Sequence, residues 1–205
     1  MIRRIRSYAC RSGHRALGRD QGAQIVEFAV ALPLLVVFVV GIFDFSNAFT
    51  LKQRLTNIAR DAARASAVDP SADVGQSSGT PLSVMDAFQI VDNYMIGSNL
   101  NDCGIGTTGS PSGLTWTFTG NGNGCTPPGL TIIVNRGYYF PQNAAATPTP
   151  SCVSQNAGGQ TAPLSTCVSI QYAYPWKFGQ VSSLLGAGLI LPPQISAVAV
   201  SLNEN

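Results

Sequence analysis

RDQGAQIVEFAVALPLLVVFVVGIFDF (residues 19–45) is the stretch that decides the fold of this chain. A basic leader ends at Gly22, and the segment 28–43 contains no charged side chain. Those 16 residues make about 24 Å of α-helix, which is short of a hydrocarbon core of ~30 Å, whereas residues 23–45 are long enough to span it. The sequence therefore predicts a transmembrane helix over residues 23–45, with Glu27 and Asp44 near its two edges.

The basic residues are concentrated before this helix. Six of the 12 Lys and Arg residues lie in residues 1–19, whereas beyond residue 22 six basic side chains face nine acidic ones, a net charge of −3. Because arginines before an apolar segment mark the cytoplasmic side, residues 1–22 are interpreted as a cytoplasmic leader and the C-terminal part as exported. The basic balance belongs to the leader and does not indicate nucleic-acid binding. A cleaved signal peptide is the alternative, but no A-x-A-like site follows the apolar segment.

The helical pattern continues beyond the membrane segment. Residues 46–68 carry an apolar stripe at steps of three and four, typical of an amphipathic helix that packs on a soluble domain. The stripe consists of Ala48, Leu51, Leu55, Ile58, Ala62 and Ala65. Asp69-Pro70 supplies the stop signal. One long helix is therefore expected over residues 23–68.

Residues 69–205 are predicted to form an exported domain in which helix is followed by strands. Thr80 and Pro81 predict the N-cap and first residue of a second helix, which runs from Pro81 to about Met95 and is stopped by Gly97. Its expected inward-facing side chains are Leu82, Met85, Phe88, Val91 (or Ile90) and Met95. Alternation at period two predicts strands at 114–119, 130–134, 138–140, 166–174 and 195–202, with a bulge near Arg136-Gly137 and loops at 99–113 and 143–160. The fold class is α+β, with an antiparallel sheet on the amphipathic half of the long helix.

Five cysteines divide between the two sides of the membrane. Cys10 lies in the leader, and the four in the exported part fit two disulfides in an oxidising compartment. These four are Cys103, Cys125, Cys152 and Cys167. Three connectivities are open, and nearest-neighbour pairing is the simplest. A zinc site is the competing interpretation, but the chain has no C-x-x-C motif and no histidine after the cysteines.

The exported domain is poor in catalytic groups. Residues 103–203 contain Arg136 and Lys177 as their only charged side chains, and the single histidine, His14, lies in the leader. A serine or cysteine nucleophile would therefore have no base nearby, and no phosphate-binding or metal-binding motif is present. We expect no enzyme activity, no catalytic residue, no cofactor, no metal and no small-molecule substrate. The carboxylates between residues 69 and 102 are interpreted as caps and solvated helix surface.

Glu27 is the functional candidate, because ionisable residues inside a membrane are costly and usually have a role. If the chain is cut after Gly22, Ala23 becomes a free ammonium one helical turn from Glu27 on the same face. The carboxylate could neutralise that amine in its own chain or in a neighbouring one. The alternative is that Glu27 only reaches to the cytoplasmic interface.

Several motifs carry a resemblance to a known family. Gly22 followed by AQIVEF resembles the processing site of type IV pilin-like proteins, with glycine before the cut and glutamate at the fifth position after it. QGAQIVEFA (21–29), LPLL (32–35), GIFDF (41–45) and QRLTNIARDAAR (53–64) resemble the TadE/TadG-like pseudopilins of tight-adherence (Tad or Flp) pilus systems. YPW (174–176) and ISAVAVSL (195–202) fit the same pattern.

The resemblance implies a pilin-like minor pseudopilin of the bacterial inner membrane, with a cytoplasmic N-terminus and a periplasmic C-terminal domain. It implies cleavage by a prepilin peptidase between Gly22 and Ala23 and an assembly contact at Glu27. It also implies partnership with other Tad pseudopilins, with the pilus assembly platform and, as a further candidate, with the major Flp pilin. The alternative function is a stationary, single-pass anchored periplasmic binding or adhesion domain.

Overall fold

A 49-residue helix, α1 (Asp20–Val68), dominates the structure. The computed structural model describes residues 20–75, 79–139, 148–154, 164–184 and 191–204. At 1.5 Å per residue α1 is about 73 Å long, and Pro33 lies inside it. It ends one residue before Asp69-Pro70, since the residue that precedes a proline is biased away from helical geometry. The prediction of one long helix that crosses from an apolar to an amphipathic segment is confirmed.

The two halves of α1 differ in burial. The half that begins at Gly22 is almost entirely exposed and is long and apolar enough to cross a membrane, with a mean hydropathy of 2.7 in its most apolar window. The half beyond Asp44 is buried along the predicted stripe from Ala48 to Ala62, whereas Ala65 is half-buried. Ala59, Ala63 and Ala67 are buried as well. Burial is wider than one stripe because the sheet and a second helix pack on different faces of α1.

The sheet is an antiparallel meander of five strands in chain order. The strands are β1 (Ser110–Ser112), β2 (Thr115–Gly120), β3 (Leu130–Tyr139), β4 (Leu164–Ala173) and β5 (Gln194–Leu202). Val134 of β3 pairs with Val168 of β4, which in turn pairs with Ala199 of β5. The α1 helix packs on β4 and β5, so the expected α+β arrangement is confirmed.

The core lies between this sheet and the two helices α1 and α2 (Leu82–Gly97). Phe88 of α2 and Phe118 of β2 meet with ring centroids 4.6 Å apart. Leu55 and Ile58 of α1 are buried in the same cluster as Ile170 of β4. This cluster joins the second half of α1 to the domain.

The start of α2 corrects two expectations. Pro81 precedes the helix instead of forming its first turn, and Thr80 does not cap it. The carboxylate of Asp73, in a short 3-10 helix (Ser71–Gly75), accepts hydrogen bonds from the backbone N–H of Ser83 at 2.8 Å and from its hydroxyl at 3.1 Å. Leu82, expected to face inward, is exposed, and Met85 is only partly buried. The buried face is instead formed by Ser83, Val84, Ala87, Phe88, Val91 and Met95.

Other differences lie in the strand region. The short strand β1 occupies part of the expected loop 99–113, and helix α3 (Lys177–Leu184) was not predicted. The register of β3 against β4 shifts between Asn135 and Tyr138, which is where the bulge was expected. Phe140, most of the loop 143–160 and residues 185–190 lie outside the described residues.

Two disulfides fasten the loops to this framework. Cys103, after α2, is bonded to Cys125 after β2, with a Cα–Cα distance of 5.4 Å. Cys152 is bonded to Cys167 of β4, with a Cα–Cα distance of 5.8 Å. The nearest-neighbour pairing is therefore the one the structure adopts, and it leaves none of these four cysteines as a metal ligand.

Candidate assembly interface

The first turns of α1 place the expected processing site on an open helix surface. Gly22 and Ala23 are helical and exposed, and a Cβ at Gly22 would meet no atom within 4 Å. Glu27 follows Ala23 by four residues, so it lies about 6 Å further along the axis on the same face. The structure thus places Ala23 and Glu27 on one helix face, with Gly22 next to Ala23 in the same turn.

Glu27 is exposed among apolar side chains. Ile25, Val26 and Phe28 beside it are exposed by 64–70% of their surface. No hydrogen bond or ion pair joins the side chain of Glu27 to any residue within the described part of the chain. A carboxylate among lipid-facing side chains is costly, so this position calls for a partner outside the described chain or for contact with water.

The apolar surface around Glu27 extends to the far end of the membrane segment. Large apolar side chains from Ile25 to Phe43 are 40–70% exposed, except for the half-buried Val37 and Val40. A helix that is apolar on all sides needs lipid or other helices around it. This surface can therefore serve both as an anchor and as a packing face for other subunits.

Asp44 closes the membrane segment at its other end. It lies 17 residues after Glu27, about 26 Å along the helix axis, and only 4% of its surface is exposed. The Tyr174 hydroxyl donates to its Oδ1 at 2.9 Å, and the backbone N–H of Phe178, in the first turn of α3, donates to its Oδ2 at 2.9 Å. Both carboxylate oxygens are therefore satisfied within the chain.

The contact with Asp44 changes the pKa of the Tyr174 phenol. Burial of the phenol, its hydrogen bond to Asp44 and the negative charge of Asp44 together raise the pKa of Tyr174 to about 12. Each of these causes disfavours the phenolate. Tyr174 consequently remains a neutral hydrogen-bond donor throughout the physiological pH range.

An aromatic collar surrounds the same end of the membrane segment; we define it as Phe45, Tyr174, Trp176 and Phe178. The Phe45 ring lies 5.3 Å from that of Trp176 and 5.7 Å from that of Phe178, centroid to centroid. Tyr174 and Trp176 meet edge to face at 4.8 Å. A Cβ at Gly41 would approach the Phe178 ring to within 2.8 Å, so a glycine here allows α3 to rest directly on α1.

Arg136 holds the opposite end of α1. Only 1% of its surface is exposed, and its guanidinium donates to the carbonyls of Ser66 and Asp69 (2.8 Å for the latter) and to the Thr166 hydroxyl at 2.8 Å. The last carbonyls of a helix lack intrahelical partners, and a cation there also favours the helix dipole. Burial lowers the pKa of Arg136, while Asp73 and Asp69 oppose that shift.

The sequence did not identify Asp44, Tyr174 and Arg136 as a structural set. Asp44 was recognised only as an edge of the span and Arg136 only as part of a bulge. The available signal was that charged residues are rare in this part of the chain. Asp44 directly follows an uncharged apolar segment, and Arg136 is the one charged residue in its strand. Neither signal names a partner, because Tyr174 lies 130 residues from Asp44.

The described residues offer no metal centre. No group of three or more His, Cys, Asp or Glu side chains is placed to hold a metal ion in that part of the chain. The four cysteines beyond α1 are joined in two disulfides, Cys103–Cys125 and Cys152–Cys167.

Comparison with known proteins gives one family match, over part of α1. Residues 22–64 match the family model described as TadE-like protein. The matched segment contains Gly22, Ala23, Glu27 and Asp44 and ends in the buried half of α1. No curated protein and no solved structure gives a significant match.

Proposed function

We propose that this TadE-like protein of the Tad pilus systems is a minor pseudopilin that assembles through the exposed face of α1. The family is associated with pili and is structural, not enzymatic, and α1 makes the chain a single-pass, membrane-anchored protein. In the proposal, a prepilin peptidase removes residues 1–22, and the subunit then joins other pseudopilins. The remaining steps concern how α1 would do this.

The observation that carries the proposal is the contrast between the two carboxylates of the membrane segment. Asp44 is buried and accepts two hydrogen bonds from its own chain, whereas Glu27 is exposed and has no partner among the described residues. An ionisable side chain inside a membrane is energetically costly and usually has a functional role. We infer that Glu27 receives its partner from another subunit.

The partner in this proposal is the ammonium of Ala23 after processing. Within one helix the amine and Glu27 share a face, so an isolated subunit can neutralise its own charge. In a stack of helices the amine of one subunit can reach the carboxylate of its neighbour. A contact that satisfies both charges would set the axial register between subunits, while apolar packing supplies most of the association energy.

The exported domain would follow α1 as a rigid body. Asp44 and Arg136 join α1 to the domain at two points, about 33 Å apart over the 22 residues from Asp44 to Ser66. The buried cluster around Leu55 and Ile58 fills the space between them. A force applied to α1 would therefore move the whole subunit.

The proposed function includes an orientation of the chain in the membrane and a set of partner proteins. The arginines of residues 1–19 place the N-terminus in the cytoplasm and the exported domain in the periplasm, by the positive-inside rule. Partners would be the prepilin peptidase, other Tad pseudopilins, the assembly platform in the inner membrane and, as a candidate, the major Flp pilin. No nucleic acid or small-molecule substrate is involved.

N-terminal sequencing of the membrane-extracted protein tests the first step. We expect the mature chain to begin at Ala23. A chain that retains Met1, or one that begins beyond Phe45, contradicts the proposal. The first result indicates a stationary anchored domain, and the second indicates a cleaved signal peptide.

Substitution of Glu27 tests the second step. Glu27→Ala should leave membrane level, processing and disulfides unchanged but reduce co-purification with other pseudopilins and lower the amount of surface pili. Gln24→Ala is the matched control, because Gln24 is an exposed polar residue less than one turn away. Unchanged piliation in Glu27→Ala would remove the assembly role.

A double-mutant cycle separates the amine contact from a general effect of charge. Gly22→Val should block the cut and so remove the Ala23 ammonium. If Glu27 acts through that amine, Gly22→Val combined with Glu27→Ala should be no worse than Gly22→Val alone. Additive losses would show that Glu27 works through a different partner.

A further inference from the structure

We propose that the aromatic collar and the first turn of α3 form a second membrane contact, seated in the lipid leaflet at the Asp44 end of the span. The occupant of this surface is the phospholipid bilayer itself. The exported domain would then rest on the membrane through its own residues in addition to hanging from α1. This contact is separate from the proposed assembly role of Glu27.

Depth along α1 is the first argument. The uncharged segment 28–43 covers about 24 Å, less than the ~30 Å hydrocarbon core, so Asp44 must lie close to the lipid boundary. Gly41 precedes Asp44 by three residues, about 4.5 Å further into the membrane. The Phe178 ring lies directly on Gly41 and therefore reaches the depth of the acyl chains.

The chemistry of the surface is the second argument. Trp and Tyr are enriched where apolar and polar layers of a membrane meet, because their rings are apolar and carry one polar atom. Lys177 is exposed beside this collar, where it can meet lipid phosphates. A groove of about 440 Å³ between the collar and α1 is lined mainly by apolar residues, including Phe49, Pro192 and Ile195.

The hydrogen bonds of Asp44 are the third argument. A carboxylate at the lipid boundary is costly unless its oxygens are satisfied. Tyr174 and the N–H of Phe178 satisfy both oxygens, and both donors belong to the segment that we place in the lipid. The same contact thus shields Asp44 and holds α3 at the membrane surface.

Tryptophan fluorescence of the full chain in nanodiscs, with one copy in each, tests the proposal. The chain has two tryptophans, and Trp116 is buried in the exported domain. Trp116→Phe leaves Trp176 as the only emitter, and Trp176→Phe leaves Trp116 as the matched control. We expect phospholipids brominated near the headgroup end of their chains to quench Trp176 by about half and more strongly than lipids brominated near the chain end, since interfacial residues lie roughly 5–10 Å deep.

The control variant should show almost no quenching. If Trp116→Phe does not fold, the wild-type chain compared with Trp176→Phe gives the Trp176 signal by difference. Trp176 emission that is insensitive to brominated lipid, with the maximum of a water-exposed indole, would overturn the proposal. That outcome would assign the collar to contacts with neighbouring subunits instead.

Discussion

Replacing Arg136 by methionine is expected to destabilise the domain that packs on the second half of α1. The substitution keeps an unbranched apolar chain of comparable reach and removes the guanidinium. Two carbonyls at the end of α1, those of Ser66 and Asp69, then lose their donor, as does the Thr166 hydroxyl. A buried polar group left without a partner costs about 1–3 kcal/mol.

The magnitude follows from two opposing contributions. Breaking a buried charged contact by removing one partner typically costs about 3–5 kcal/mol. Against this, burial already disfavours the charged guanidinium, as its lowered pKa shows, and its Nε has no partner among the described residues. Removal recovers part of that desolvation cost, so we expect a loss of about 3 kcal/mol in the free energy of unfolding.

Urea unfolding of the full chain in detergent micelles measures this loss, when it is followed by the emission of the buried Trp116 in a Trp176→Phe background, where Trp116 is the remaining tryptophan. Arg64→Met is the control, because Arg64 is an exposed arginine on the same helix and should change stability by less than about 0.5 kcal/mol. Arg136→Lys should fall between the two, since one ammonium cannot reproduce the planar fork of donors. A loss below about 1 kcal/mol in Arg136→Met would refute the assignment of Arg136 as the clamp of α1.

Three further outcomes are expected. The difference in phenolate absorbance between wild type and Tyr174→Phe should show a group that titrates near pH 12, and a midpoint near pH 10 would contradict the contact with Asp44. Because the pKa of Tyr174 is raised in the folded state, its contribution to stability is full below pH 10 and is lost as the pH rises from 10 to 12. Gly129→Ala should destabilise by more than about 2 kcal/mol in urea unfolding, because a Cβ would overlap the Gly120 carbonyl, whereas Gly124→Ala, with a similar φ and no atom within 4 Å, should lose only about 1 kcal/mol. Replacing both cysteines of the Cys152–Cys167 disulfide by serine should cost about 3 kcal/mol by the same assay, and an unchanged urea midpoint would show that this disulfide does not contribute.

Local patterns predicted the long elements well, because their signals depend on neighbouring residues alone. The apolar segment and the stripe from Ala48 to Ala62 predicted α1 to its C-terminal residue. Alternation at period two predicted β2 and β5 to within a residue. Both signals describe one face of an element against one layer.

The prediction of which α2 side chains face inward was partly wrong, because that helix packs on two elements. Its buried residues face α1 and β3 together, so the buried face is centred on Val84, Ala87 and Val91. A single-stripe interpretation starting at Leu82 missed it. The start of the helix was missed for a related reason, since its cap comes from Asp73, ten residues away.

Contacts between distant parts of the chain were beyond sequence patterns. Arg136 satisfies carbonyls that lie 67 and 70 residues away, and no periodicity encodes such a pair. Helix α3 is short, and its first turn depends on the acceptor that Asp44 provides. The composition did, however, flag both positions, because charge is rare in this chain and each isolated charge needs a reason.

The two carboxylates of the membrane segment, Glu27 and Asp44, differ in where their partners come from. Asp44 accepts hydrogen bonds from Tyr174 and from the backbone N–H of Phe178, so it fixes how these residues sit against α1. Glu27 lies one membrane thickness away and is matched to nothing in the described chain. If Asp44 also took its partners from another subunit, Tyr174 and α3 would lose their hydrogen bonds to α1, although the buried cluster around Leu55 and Ile58 would still hold the domain on the helix. In the proposed assembly, the satisfied Asp44 would keep α3 and α1 in one arrangement, and the open Glu27 would be the carboxylate that selects a neighbouring subunit.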